Sequence, residues 1–152
     1  MTIRRTMAAV LATAIAASAA PALADDMVLA KRDATALIES NVGKPFWQME
    51  AQCAGMFGAA YAFDLERRRP AEADRSKDAG IAMLNEAVAR LQTDRGLDQP
   101  TALNLAAEEV ETGRASARVA LDRQGQGPTS YFNVMKSACY DISEAQRRHA
   151  RR

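Results

Sequence analysis

Histidine and cysteine are scarce in this chain, and their scarcity excludes several kinds of site. The sequence has one histidine, His149, and two cysteines, Cys53 and Cys139, which lie far apart. It contains no Cys-x-x-Cys and no Cys-x-x-Cys-His run, so neither thioredoxin-like redox chemistry nor c-type haem attachment is expected. A lone histidine without a neighbouring ligand set predicts no metal site. It also leaves the serines without the base that a Ser-His-Asp hydrolase needs.

Other signatures of cofactors and nucleic-acid binding are missing as well. There is no glycine-rich phosphate loop and no calcium-loop pattern. Lysine and arginine number 20 against 19 aspartates and glutamates, a formal charge of +1, which gives no basic excess for nucleic acid. We therefore expect no cofactor, no bound metal and no nucleic-acid partner.

Residues 1–24 predict a secretory signal peptide. Two arginines precede an uncharged, alanine-rich run over residues 7–20, and Ala-Leu-Ala at 22–24 supplies the small residues of a cleavage site. An uncleaved anchor is disfavoured, because the apolar run is short for a bilayer that needs about 20 residues. Cleavage after Ala24 leaves a chain that begins at Asp25 and has no transmembrane segment. The expected location is the periplasm or the cell exterior.

The mature chain has helical periodicity throughout. Apolar residues recur at spacings of three and four, without the sustained alternation of strands. Glycines and prolines divide the pattern into five predicted helices, at about 25–41, 46–68, 70–94, 99–124 and 130–147. The predicted fold is all-α: one domain, residues 25–152, built as a small bundle of four main helices plus the N-terminal helix. Residues from about 148 to 152 are predicted to form a disordered tail.

Small residues run along the second predicted helix in two rows, which include Gly55 and Gly58. Each glycine costs a helix about 1 kcal/mol relative to alanine. Rows of small residues let a neighbouring helix approach closely, so we expect close packing here. On the third and fourth helices, Ile81 and Leu103 are among the residues expected to face inward.

The two cysteines are expected to form a disulfide. Cys53 and Cys139 lie mid-helix on the apolar faces of the second and last predicted helices, and exported chains oxidise such pairs. The bond would close a loop of more than eighty residues and stabilise the fold by roughly 4–5 kcal/mol in the chain-entropy model. The alternative is two separate buried thiols. Because both positions are mid-helix, the bond is compatible with parallel or antiparallel helices.

Aromatic residues make up only 5% of the chain, and they concentrate in these same two helices. The favoured expectation is that this cluster is simply the core. Four are candidates for an exposed binding surface, because amphipathic rings are enriched at protein interfaces: Trp47, Tyr61, Tyr131 and Tyr140.

Two further features have ordinary explanations beside functional ones. Glu50 lies beside the aromatic face, where a carboxyl group could act as an acid or base, but a solvated carboxylate at the rim of the core is favoured. The basic runs at 67–69 and 147–152 could contact anionic lipid or cell-wall polymers. Charge at a helix end and a solvated tail explain them equally well.

The sequence favours a non-catalytic interaction or binding module, because no nucleophile and base can be paired. The predicted partner is another envelope protein, as for toxin-immunity proteins. Residues 134–139 resemble small helical immunity proteins over that short run, without a diagnostic motif, so no family is assigned. The alternatives are a periplasmic stress chaperone, although the Leu-Thr-x-x-Gln motif of one such group is missing, and a carrier of a small apolar ligand.

Overall fold

The computed structural model describes residues 25–152, which form four α-helices and no strand. The all-helical bundle is therefore confirmed, while the predicted signal peptide at 1–24 lies outside the described residues. No helix in the described range is long and apolar enough to cross a membrane. The helices are α1 (Phe46–Glu66), α2 (Pro70–Arg95), α3 (Gln99–Gln124) and α4 (Tyr131–Ala150).

Local sequence signals set the helix ends. Pro70 is the first residue of α2, and Gly96 ends that helix with a left-handed φ of 64°. Asp98 caps α3 by accepting a hydrogen bond of 2.9 Å from the Thr101 amide. Ser130 caps α4 in the same way, through the amide three residues later.

Helix α1 is the centre of the bundle, and the other three helices pack around it. Where α1 meets α3, glycines bring the two backbones into contact. A Cβ built on Gly55 would lie 2.7 Å from the carbonyl carbon of Val110, and one built on Gly113 would lie 2.8 Å from Cα of Gln52. The close approach predicted from the small-residue rows is thus confirmed, and it has a matching glycine on α3.

The inner face of α3 consists mainly of alanine and glycine rather than of large apolar residues. The prediction that Leu103 and Ile81 face inward is wrong, because they are 40% and 52% exposed. With the helix axes so close, only small side chains fit between α1 and α3. The buried residues of α3 are Ala102, Ala106, Gly113, Ala117, Ala120 and Leu121.

The segment before α1 is not the single α-helix predicted over 25–41. It forms two short 3₁₀ turns, Lys31–Asp33 and Glu39–Asn41, and folds back on itself so that Leu29 exchanges backbone hydrogen bonds with Gly43 and Lys44. Leu29 and Ile38 are fully buried. Backbone pairing between the two ends of the segment replaces the pairing that an α-helix would make within itself.

Trp47 and Asp26 hold the start of this segment against the bundle. The Trp47 indole donates a hydrogen bond of 3.2 Å to Asp26, whose two oxygens also accept bonds of 2.7 and 2.6 Å from Arg95. The Arg95 guanidinium lies 4.9 Å from the centre of the Trp47 ring. These contacts therefore hold the segment against α1 and the end of α2.

The predicted disordered tail is helical in the structure as far as Ala150, because basic side chains of α4 and of the residues after it contact Asp33. Arg152 lies 3.0 Å from the Asp33 carboxylate, and Arg148 donates a hydrogen bond of 2.9 Å to its backbone carbonyl. The carboxylate side chain of Asp33 is only 1% exposed. A buried acid on the N-terminal segment thus fixes the end of the last helix.

Candidate functional site: the groove between α3 and α4

An open groove lies between α3 and α4, because both helices pack on α1 and contact each other little. Its volume is about 370 Å³. The close approach of α3 to α1 at Gly55 and Gly113 leaves α4 as a separate wall. The groove is thus a consequence of the same small residues that shape the bundle.

The floor of the groove is sulfur-rich. Met49 and Met56 of α1 line it together with both cysteines, Cys53 and Cys139. The cysteines form the predicted disulfide, with their Cα atoms 5.6 Å apart, which confirms that expectation. Thioether and disulfide groups are apolar and polarisable, and methionine side chains adapt to ligands of different shape.

The walls come from the two flanking helices, and the N-terminal segment closes one side. α3 contributes Thr112, Gly113 and Ser116. The α4 wall is mostly apolar, and the N-terminal segment adds one apolar and two polar residues: Tyr131, Val134, Met135, Ala138 and Ile142 from α4, and Leu37, Ser40 and Asn41 from the segment.

The lining includes no Asp, Glu, Lys, Arg or His side chain. Its polar groups are partly occupied by the protein itself. The Thr112 hydroxyl donates to the Glu108 carbonyl at 3.1 Å, and the Gln52 amide donates to Glu109 at 2.6 Å. Because the floor residues are themselves buried, the groove offers the uncharged side chains of its walls and rim rather than charged or catalytic groups.

Large apolar side chains are exposed along the rim. Leu37, Tyr131 and Val134 are 47%, 59% and 45% exposed. Val119, which follows Ser116 by three residues on α3 and so continues the same stripe of that helix, is 52% exposed. Exposed apolar side chains grouped at a groove mark an interaction site more often than a bare exterior.

A larger depression, of about 670 Å³, lies between the end of α2 and the start of α3. The Asp26–Arg95 ion pair occupies part of its wall. It borders Asp25, which adjoins residues outside the described range. The α3–α4 groove is the better-defined site because described residues enclose its floor and walls.

The structure places the four aromatic residues predicted as a binding surface at separate positions. Trp47 is 6% exposed and belongs to the core, since its indole nitrogen is bonded to Asp26. Tyr140 lies on another side of α4, with its ring 5.7 Å from that of Phe57, and Tyr61 borders α3 near Arg114. Only Tyr131 lies at the groove.

Sequence reasoning missed most of the groove. The missed residues on α3 are Thr112, Gly113 and Ser116, and a signal for them exists. They are small, uncharged and on one face, in a helix whose other positions nearby, such as Glu111 and Arg114, are charged. On α4, Ala138 belongs to the predicted apolar stripe and Val134 lies beside it, but neither was predicted to line a groove.

The sequence analysis favoured a solvated position for Glu50 at the rim of the core, and the structure does not place it there. Its side chain is buried, with the residue 1% exposed, and Oε1 accepts a hydrogen bond of 3.1 Å from the Ser143 hydroxyl. Burial raises its pKa from 4.5 to about 7; the Ser143 bond and nearby Arg147 oppose this rise, and Glu86 adds to it. Glu50 does not line the groove, so it is a buried acid of the core rather than part of this site.

Within residues 25–152, no group of three or more His, Cys, Asp or Glu side chains is arranged to hold a metal ion. Comparisons of the chain with protein-family models, with curated proteins and with solved structures found no match.

Proposed function

We propose that this protein is an exported, non-catalytic binding module that holds an apolar segment of another envelope protein in the groove between α3 and α4. The observation that carries the proposal is the groove itself: an uncharged, methionine-floored channel with exposed apolar side chains along its rim.

The shape of the groove suits a protein segment. Two helices joined by the short 125–130 connection flank a floor provided by α1. An amphipathic helix can place its apolar face in such a channel, with anchors at successive turns. Leu37, Val134 and Tyr131 would then cover the segment from the rim.

Two features support a location outside the cytoplasm. Residues 1–24 have the order of parts that a secretory signal peptide has. The disulfide between Cys53 and Cys139 is of the kind that persists in oxidising compartments. Together they favour the periplasm or the cell exterior as the place where the partner is met.

A small apolar ligand is the second candidate, and the volume of the groove favours it. A space of about 370 Å³ falls within the range of about 300–1,000 Å³ typical of small-molecule sites. A carrier would retain its ligand during purification. Native mass spectrometry of the exported protein would show it as a reproducible added mass, whereas a protein-binding module would show the bare chain.

The chaperone alternative has less support. An acid-activated chaperone has to open as the pH falls, yet the buried Glu50 favours the folded state at low pH, since its pKa is raised to about 7. The Arg95 hydrogen bond lowers the pKa of Asp26, so that contact weakens in acid, but it holds the start of the N-terminal segment rather than the centre of the bundle.

Site-specific crosslinking in the intact cell envelope tests the proposal. A photoreactive amino acid at Val134 lies at the groove, and one at Tyr140 lies on the same helix away from it. The proposal predicts a defined adduct with one protein from position 134 only, lost when Ser116→Trp fills the groove and kept when the exposed neighbour Ala115→Trp is made instead. Adducts that are the same from both positions, or that Ser116→Trp leaves unchanged, would overturn it.

A further inference from the structure

Two basic stretches that lie more than a hundred residues apart in sequence form one surface. Lys31 and Arg32 belong to the first 3₁₀ turn, and four arginines belong to the end of α4 and the residues after it. Asp33 joins the two: Arg152 and His149 lie 3.0 and 3.6 Å from its carboxylate. We call this surface the basic end, consisting of Lys31, Arg32, Arg147, Arg148, Arg151 and Arg152.

The acids that contact the basic end do not balance it. Asp33 and Glu144 are the carboxylates within ion-pair distance of its arginines in the described chain, and they offset two of the six cations. Four positive charges therefore remain. Residues 25–152 carry a formal charge of −1, because the two arginines at positions 4 and 5 lie outside them, so the rest of the domain is acidic. Charge is thus segregated toward one end of the molecule.

These cations are directed to solvent. Lys31, Arg147 and Arg151 are exposed and make no salt bridge within the described residues. Asp33, whose side chain is 1% exposed, is buried beneath these cations. A ligand approaching this end would meet positive charge and no accessible carboxylate of Asp33.

The N-terminal segment that supplies Lys31 and Arg32 also exposes large apolar side chains. Val28 and Val42, which flank the backbone pairing of Leu29 with Gly43, are 38% and 40% exposed. Exposed apolar side chains on a segment that also carries cations are typical of proteins that bind at a lipid–water interface. A soluble acidic polymer would use the cations and leave the apolar groups without a role.

We propose that the basic end docks on a membrane surface through anionic lipid headgroups. This surface involves the end of α4 and the 3₁₀ turn, so it is separate from the floor and α3 wall of the groove. A membrane-docked module would meet apolar segments of envelope proteins where those segments leave the bilayer. Electrostatic attraction of this kind weakens as salt is raised.

Vesicle co-sedimentation of the exported, oxidised protein tests the proposal. We expect binding to phosphatidylcholine–phosphatidylglycerol vesicles, weakened by salt, and no binding to phosphatidylcholine alone. Each cation near an anionic surface strengthens binding about fivefold. Lys31→Glu with Arg151→Glu should therefore weaken binding by roughly twentyfold or more. These two side chains are outside the Asp33 ion pairs, so the melting temperature should stay unchanged.

The matched control is Arg114→Glu with Arg123→Glu on α3, which changes the net charge equally at exposed positions elsewhere. It should keep most of the vesicle binding. An equal loss with the control pair would show that only net charge matters. Binding to heparin but not to anionic vesicles would show a soluble polyanion site. No binding to either would show a solvated helix end. Each of these three results overturns the membrane proposal.

Discussion

The hydroxyl of Ser143 on α4 donates a hydrogen bond to Oε1 of Glu50 on α1, while Oε2 of the same buried carboxyl has no hydrogen-bond partner among the described residues. A charged carboxylate is poorly accommodated in such a place, which is why burial raises its pKa to about 7. The consequence is a dependence of stability on pH that the bulk of the surface charges would not produce.

The free energy of unfolding should fall as the pH rises through the neutral range. A pKa that is higher in the folded state than in the unfolded state gives stability that is complete below the unfolded value of 4.5 and is lost as the pH rises through about 7. The full difference is about 3.5 kcal/mol, because the pKa rises by about 2.5 and each pKa unit corresponds to roughly 1.4 kcal/mol. Urea unfolding from about pH 5 to about pH 8 measures most of it.

Glu50→Gln should remove most of this dependence, because the amide keeps the shape of the side chain and does not titrate. The exposed Glu111→Gln is the control and should keep the wild-type slope. An unfolding free energy that is flat with pH in the wild type, or equally steep in Glu50→Gln, would show that this carboxyl does not govern the pH dependence.

Two glycines one turn apart on α1 should respond to alanine in opposite directions. A Cβ at Gly55 would meet the backbone of Val110 and Arg114, so Gly55→Ala must push α3 away and should cost about 3 kcal/mol. At Gly58 the nearest atoms are 3.7 Å away, at the end of the Arg114 side chain. Gly58→Ala should therefore stabilise the helix by up to about 1 kcal/mol.

Thermal and urea unfolding of the two variants measure this difference. Equal effects of both substitutions would contradict the close α1–α3 contact. Gly113→Ala, which approaches the same contact from α3, should resemble Gly55→Ala.

Removing the disulfide should lower stability by roughly 4–5 kcal/mol, since it closes a loop with a sequence separation of 86 residues. The double variant Cys53→Ser with Cys139→Ser avoids a free thiol. Adding a reductant should lower the melting temperature of the wild type and leave the double variant unchanged. A wild type that melts at the same temperature with and without reductant would contradict the stabilising role.

Asp26→Asn should loosen the start of the N-terminal segment. It removes the ion pair with Arg95 and weakens the bond from the Trp47 indole, and such a loss at a largely buried site costs about 1–3 kcal/mol. Trp47 fluorescence should shift to longer wavelength as water reaches the ring. Asp25→Asn, at the exposed neighbouring position, is the control. An emission spectrum that Asp26→Asn leaves unchanged would contradict the role of Asp26 in holding the segment against Trp47.

Sequence patterns predicted the four long helices well because their signals are local. Pro70, Gly96 and Ser130 act on the backbone beside them, and the structure has helix ends at each. The disulfide could also be predicted from the sequence, because the prediction needs only two mid-helix cysteines on apolar faces and an oxidising compartment.

The N-terminal segment was mispredicted because its contacts are distant in sequence. Ala30, Ala34 and Ile38 have spacings that suit one face of a helix, but the Met27 amide bonds to Asp94 at 2.8 Å and its carbonyl accepts from Phe46. Apolar spacing alone does not distinguish a helix from 3₁₀ turns whose backbone pairs elsewhere.

The groove was missed for a related reason. The groove exists because α3 lies very close to α1. That close approach depends on Gly113 of α3, which contacts the backbone of Gln52 on α1. The predicted binding surface included Trp47 because it is aromatic. Its indole is instead bonded to Asp26, which lies 21 positions earlier in the chain and gives no local signal. A search for small uncharged stripes within charged helices would have found Thr112 and Ser116.

The groove between α3 and α4 as a binding site is the central claim, and the affinity of the crosslinked partner segment tests it most directly. A synthetic peptide of that segment would be titrated against the wild type, Ser116→Trp and Ala115→Trp, with melting temperatures to confirm folding. We expect Ser116→Trp to weaken binding at least tenfold, about 1.4 kcal/mol, and Ala115→Trp to leave it unchanged. Equal affinity for all three folded proteins would contradict it.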